Sequence, residues 1–168
     1  MIMLAVSLGL LGDGMPQAYI CGPQKDTSKI PYDTAKKYIQ KSPALQPYFQ
    51  KYNTLRITSK EGGEIRHLPF EKSAIEGKNP SLIILTEYHL HHDDTMQESA
   101  VTSRNTSRLN QLLVYDTTKG HEIESVCFRR ERSYKKYLEE QILNPSELHK
   151  NASIFLFCAE LDYEEYEQ

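Results

Sequence analysis

Three groups of side chains in this sequence are of types that can do chemistry. The first is His89, His91, His92, Asp93 and Asp94. Histidine and carboxylate side chains together can hold zinc. In an extended segment, however, His89 and His91 share a face that His92 does not. No cysteine lies nearby, so the stretch reads as a solvated loop and no metal is assigned. The second is His67 with Glu64, residue types that serve as general acid and base in RNA cleavage. Three positions apart on a flat strand they face opposite sides, which favours a packed histidine. The third is the basic run Arg129, Arg130, Arg132, with Lys135 and Lys136 behind it. It is suited to phosphate contact. Glu139 and Glu140 follow at once, so an exposed helix face with local ion pairs is the plainer reading. No nucleotide-binding glycine loop, zinc-finger spacing or Ser-His-Asp arrangement occurs, and no cofactor is expected.

The scaffold around these groups is one domain by length and composition. Hydrophobic content of 39% and charged content of 26% fit a folded soluble domain and exclude wholesale disorder. A net charge of −3 provides no strong basic field for nucleic acid. Met1 to Leu11 is apolar and small residues follow to Ala18, which reads as a secretory leader ending near Ala18-Tyr19. That run is too short to span a membrane, which needs ~20 apolar residues.

Secretion would oxidise cysteines. Cys21, Cys127 and Cys158 allow one pair with one left over, in three ways. A Cys21–Cys127 bridge would close a loop of about a hundred residues, a constraint of ~4–5 kcal/mol in the chain-entropy model. Asn105 and Asn151 stand in N-x-S/T sequons, which point to the same compartment.

Periodicity predicts a helix over 33–42, ended by Pro43, then a hairpin from Leu55–Thr58 to Ile65–Phe70 across Glu61-Gly62-Gly63. Ser81–Leu90 reads as a central strand, and Leu109–Tyr115 and Glu122–Phe128 as two more joined by a tight turn. The stretch 89–110 reads as a long loop, 132–143 as a helix, and Ser153–Cys158 as an apolar strand. A helix followed by a meander of antiparallel strands argues α+β.

Tyr19-Ile20-Cys21, the segment Gly63 to Pro69, the strand Leu82-Ile83-Ile84-Leu85-Thr86 and Cys127 together resemble the RNase-like secreted effectors of powdery-mildew fungi. The resemblance covers about 19–128. It implies a microbial ribonuclease-like fold, one N-terminal helix packed on a twisted antiparallel sheet. The chain then divides into a signal peptide (1–18), a core (19–128) and a C-terminal helix–strand extension (129–168). It also implies a Cys21–Cys127 disulfide, with Cys158 as the rival partner. The positions matching the ribonuclease base, acid and arginine are His67, Asp116 and Ser81. The resemblance therefore implies a non-enzymatic scaffold, a secreted virulence effector whose delivery into host cells is compatible with the family. Its expected partners are a host plant protein or immune receptor, with RNA as a second ligand through His67, Arg129, Arg130 and Arg132. No membrane and no small-molecule cofactor are expected. An active secreted endoribonuclease cleaving single-stranded RNA is the alternative.

Overall fold

The computed structural model describes residues 1–12, 14–69, 71, 74–103, 108, 110–120, 122–144 and 154–159. Six strands form one mixed sheet: β1 (Gln17–Cys21), β2 (Phe49–Tyr52), β3 (Ile57–Ser59), β4 (Glu64–Leu68), β5 (Leu82–Thr86) and β6 (Leu112–Asp116), in the order β2-β3-β4-β1-β5-β6. β4, β1, β5 and β6 run parallel. β2, β3 and β4 pair antiparallel. Among the described residues four α-helices accompany the sheet: α1 (Ile2–Ser7), α2 (Lys25–Lys41), α3 (Thr95–Thr102) and α4 (Val126–Leu143).

The sheet is covered on both faces. Strand residues alternate between faces, so Ala18, Ile20, Leu82 and Ile84 pack with α1 and α2 through Leu4, Val6, Tyr32, Ala35 and Ile39. Their neighbours Tyr19, Cys21, Ile83 and Leu85 pack on the other side with Met96 and Ala100 of α3 and Val126 and Cys127 of α4. Full burial of such a side chain stabilises by roughly 1.5–3 kcal/mol. Two faces of burial explain why Leu82-Ile83-Ile84-Leu85-Thr86 is apolar without alternation, as buried parallel strands are.

The antiparallel ribonuclease-like sheet is thus corrected to a parallel-centred sheet between two helical layers. The hairpin across Glu61-Gly62-Gly63 is present as β3–β4, with Gly62 at φ +83 making the turn. The helix expected over 33–42 begins eight residues earlier. Gln24 and Thr27 form a reciprocal capping box, and Ser28, Tyr32, Ala35 and Ile39 bury one stripe that runs through Pro31. Part of the expected loop 89–110 is α3. Glu122–Phe128 is not a strand: Ser125 caps α4, its side chain accepting from Phe128 N.

The expected leader is core. Met3, Leu4 and Val6 are buried and α1 packs on β1 and β4, so a cut at Ala18-Tyr19 would fall inside the central strand. The expected divisions at 18 and 128 fall within β1 and α4. The expected disulfide is absent: all three cysteines are thiols. Cys21 sits on β1 between Leu68 and Leu85, and burial pushes its thiol up to about 12. Cys127 lies at the start of α4, its Sγ 3.9 Å from Thr117 Oγ1. Asn105 and Asn151 lie outside the described residues.

Candidate active site

The parallel strands finish on one edge, with Leu68, Cys21, Thr86 and Asp116 as their last residues. Open α/β sheets bind ligands beyond this edge, near the point where connections change sides. Here the chain builds β2–β4 on one side of β1 and resumes with β5 on the other. The turns after β1, β5 and β6 therefore lie side by side, because these strands are consecutive neighbours in the sheet.

Glu87 follows five consecutive buried residues and adopts φ 51, ψ 47, the left-handed region. That conformation costs a non-glycine residue roughly 1–2 kcal/mol. Such strain persists where the surroundings over-determine it, and it concentrates at functional sites. The cause is visible in the next residue. Tyr88 turns back into the core at 2% exposure, and Glu87 is left facing outward with 44% of its side chain accessible.

Two sets of contacts fix this turn. In the first, the His89 backbone N–H donates to Thr117 Oγ1 at 2.9 Å and His89 Nδ1 lies 3.1 Å from the same oxygen. Glu87 Oε2 lies 3.5 Å from His89 Nδ1. The turns after β5 and β6 are thereby tied together. In the second, the Tyr88 hydroxyl donates to Asp94 Oδ1 at 2.9 Å and accepts from Arg130 Nε at 3.2 Å. Arg130 Nη2 donates to Asp94 Oδ1 and to Gln97 Oε1, both at 2.9 Å, and the guanidinium lies 5.6 Å from the Tyr115 ring centre. Burial and the Asp94 bond hold the Tyr88 phenol well above its ordinary pKa. His91 is buried with Nε2 3.2 Å from Thr86 O. Burial lowers its pKa, and since a carbonyl only accepts, Nε2 carries the proton.

Gly22 closes the third side. A Cβ there would collide with Thr27 Oγ1, lie 2.9 Å from Ser28 N and 3.1 Å from Thr86 Cγ2. Glycine at this position lets the start of α2 come up against the end of β5. The helix start favours negative charge, and Glu87 offers a carboxylate that can orient or deprotonate water.

The residues singled out from sequence are dispersed. His67 is on β4, its ring tilted 54° against Tyr32 with ring centres 5.0 Å apart. Asp116 ends β6, three strand spacings or roughly 14 Å away. Ser81 is buried where β5 begins, at the opposite edge. No acid–base pair forms among them. Arg129 and Arg132 are exposed on α4, whereas Arg130 points inward. Of the histidine–aspartate stretch, His91 is core, Asp93 accepts from Thr95 N, and Asp94 pairs with Arg130. Among the described residues no group of three or more His, Cys, Asp or Glu could hold a metal ion. The sequence reading missed Glu87, Tyr88 and Thr117. The usable signal was an acidic residue one threonine beyond the apolar run Leu82–Leu85.

The open side of the site is β6. Among the described residues it pairs only with β5, and a cleft of about 630 Å3 lies beside it. Leu112–Asp116 line one wall and the apolar segment Phe155–Ala159 another.

A family model described as the terminase large subunit, ATPase domain, matches residues 1–137. Among solved structures, the large terminase of bacteriophage HK97 is similar with a TM-score of 0.64 and 19% identity, over 86% of this chain and 29% of that one. The large terminase ATPase domain of Thermus phage P74-26 gives a TM-score of 0.48 and 14% identity, over 72% of this chain and 55% of that one. The chain thus spans under a third of the HK97 protein. No curated protein matches it. These findings overturn the fungal effector resemblance and the ribonuclease-like fold. With them fall the non-enzymatic scaffold, the alternative endoribonuclease, the host plant protein, immune receptor and RNA partners, and secretion. Among the described residues no helix is long and apolar enough to cross a membrane.

Proposed function

The chain belongs to the family of terminase large subunit ATPase domains, and from that premise we propose that its strand-end edge forms the hydrolytic side of an ATP site that drives DNA packaging. One observation carries the reading: Glu87, strained into the left-handed region at the end of the fully buried β5, faces outward at the edge where α/β sheets bind ligands.

In phosphoryl transfer the protein contributes mainly position and charge, and a side chain that orients the attacking water is a recurring part. Glu87 is suited to that part. The His89–Thr117 contacts hold its turn against the end of β6, and the Arg130–Asp94–Tyr88 contacts hold it against α4. P-loop ATPases cradle the phosphates in a G-x-x-x-x-G-K-S/T loop between a strand and a helix. That motif does not occur in these 168 residues. Among the described residues no strand pairs with the outer edge of β6, next to Thr117, and a strand added there parallel to β6 would deliver its loop to the edge that carries Glu87. Magnesium usually takes one or two carboxylates and leaves its other positions to water and phosphate. Glu87 and Asp116 are the carboxylates directly at the ends of β5 and β6, so the donors fit a metal that arrives with its nucleotide. Asp116 would hold it, and the ion would supply neutralisation of phosphate charge.

The test follows phosphate release from ATP by the full chain, alone and joined by a flexible linker to a strand–loop–helix segment carrying the motif. Turnover is expected to rise at least 100-fold on joining. A joined protein that binds ATP but gains no turnover would overturn the reading.

A further inference from the structure

The basic run belongs to two environments. Arg130 faces the Glu87 turn, while Arg129, Arg132 and Lys136 fall at positions i, i+3 and i+7 of α4, on one solvent-facing stripe. Between Arg129 and Lys136 lie five cationic side chains and one acidic one, in a chain whose net charge is −3. The acidic one, Glu131, is taken by Lys135 at 2.8 Å and approached by Lys119 at 3.9 Å. Lys136 is 77% exposed and only 3.8 Å from Glu140, a surface pair of little strength. Arg129 donates to the Glu124 carbonyl, which leaves its charge uncompensated. Among the described residues no ion pair is recorded for Arg132. The stripe borders a shallow groove of about 640 Å3, and Glu139 marks its far end.

We infer that this outer face of α4 is a docking surface for the phosphate backbone of duplex DNA. The inference rests on the proposed packaging role for the choice of polyanion. Over Arg129 to Lys136 the helix rises about 10 Å, the length over which a duplex presents roughly six charges at one per ~1.7 Å. Two of the three stripe cations are arginines, whose planar forks match phosphate oxygens in pairs. No base-reading element accompanies them, so binding is indifferent to sequence. The same helix turns Arg130 inward onto Tyr88 and Asp94, so a load on the outer face reaches the Glu87 turn through one rigid element.

Fluorescence anisotropy of a labelled 30-base-pair duplex, without nucleotide, tests this on the full chain. Binding in the roughly 10–100 μM range at low salt is expected, with log affinity falling against log salt by about 0.9 per phosphate, hence by about 3 for three contacts. Arg129→Gln, Arg132→Gln and Lys136→Gln together are expected to weaken binding at least tenfold and flatten the salt slope toward zero. Lys36→Gln with Lys37→Gln on α2 is expected to change neither. Matching thermal melts show that each variant is folded. No binding at low salt, or binding and slope unchanged in the triple variant, would overturn the inference. DNA binding and ATP turnover are read separately, so failure of the docking surface is distinguished from failure of the ATP site.

Discussion

β5 and β6 are parallel neighbours of similar composition, yet they live differently. Every residue of β5 is buried, while β6 runs from 37% exposed at Leu112 to an exposed Asp116. The difference is neighbours rather than residues: β5 has β1 on one edge and β6 on the other, and β6 has β5 alone. A parallel strand is stable when covered on both sides. β5 has reached that state and can hold a strained turn at its end. β6 has the sequence for it, but among the described residues no strand pairs with its other edge. In the proposed ATP site, Glu87 stands on the strand that is covered on both edges, and the phosphate-binding loop would come beside the other strand.

The largest effect expected from this contrast is in packing. Leu85→Ala, at a fully buried position, is expected to cost about 2–5 kcal/mol in urea unfolding. Leu113→Ala on half-exposed β6 is expected to cost under about 1 kcal/mol. Equal losses would erase the distinction between the strands. Next is the link to α4. Arg130→Ala leaves Asp94 and the Tyr88 hydroxyl without their cation and is expected to cost roughly 1–3 kcal/mol, reduced because both charges are a fifth to a third exposed. A loss within error would mean that the turn does not depend on α4.

A smaller, pH-dependent effect is expected from His91. Its folded pKa lies below the ordinary 6.5 because burial disfavours the cation. The unfolded chain therefore binds the proton more readily, and stability present above about pH 6.5 declines as pH falls toward the folded value. Urea midpoints of the wild type against His91→Gln from pH 7.5 to 5 separate this residue from the others. A pH slope as steep in the variant would assign the effect elsewhere.

The parts of this fold legible in the sequence were local ones. The β3–β4 hairpin rests on a glycine turn, and the stripe Tyr32, Ala35, Ile39 marks α2. What went wrong was long-range. Leu82–Thr86 reads as a strand from its residues, but that its apolar run is covered on two faces in a parallel sheet depends on strands and helices distant in the chain. The apolar start resembled a leader because a short buried helix has the same composition. Cys21 and Cys127 suggested a bridge, although their place in one apolar cluster follows only from the folded chain. Glu87 was marked only by its place after the apolar strand; its left-handed conformation, set by the buried tyrosine beside it, has no local signature. The basic run was legible as a helix face, but its division into Arg130 inside and Arg129, Arg132 outside depends on where α4 lies.

Single-turnover hydrolysis of ATP by the joined protein carrying Glu87→Gln tests the central claim most directly. The account predicts that nucleotide still binds and that phosphate release slows by roughly 100-fold or more, the range for loss of a general base. Hydrolysis at the unmodified rate would contradict it.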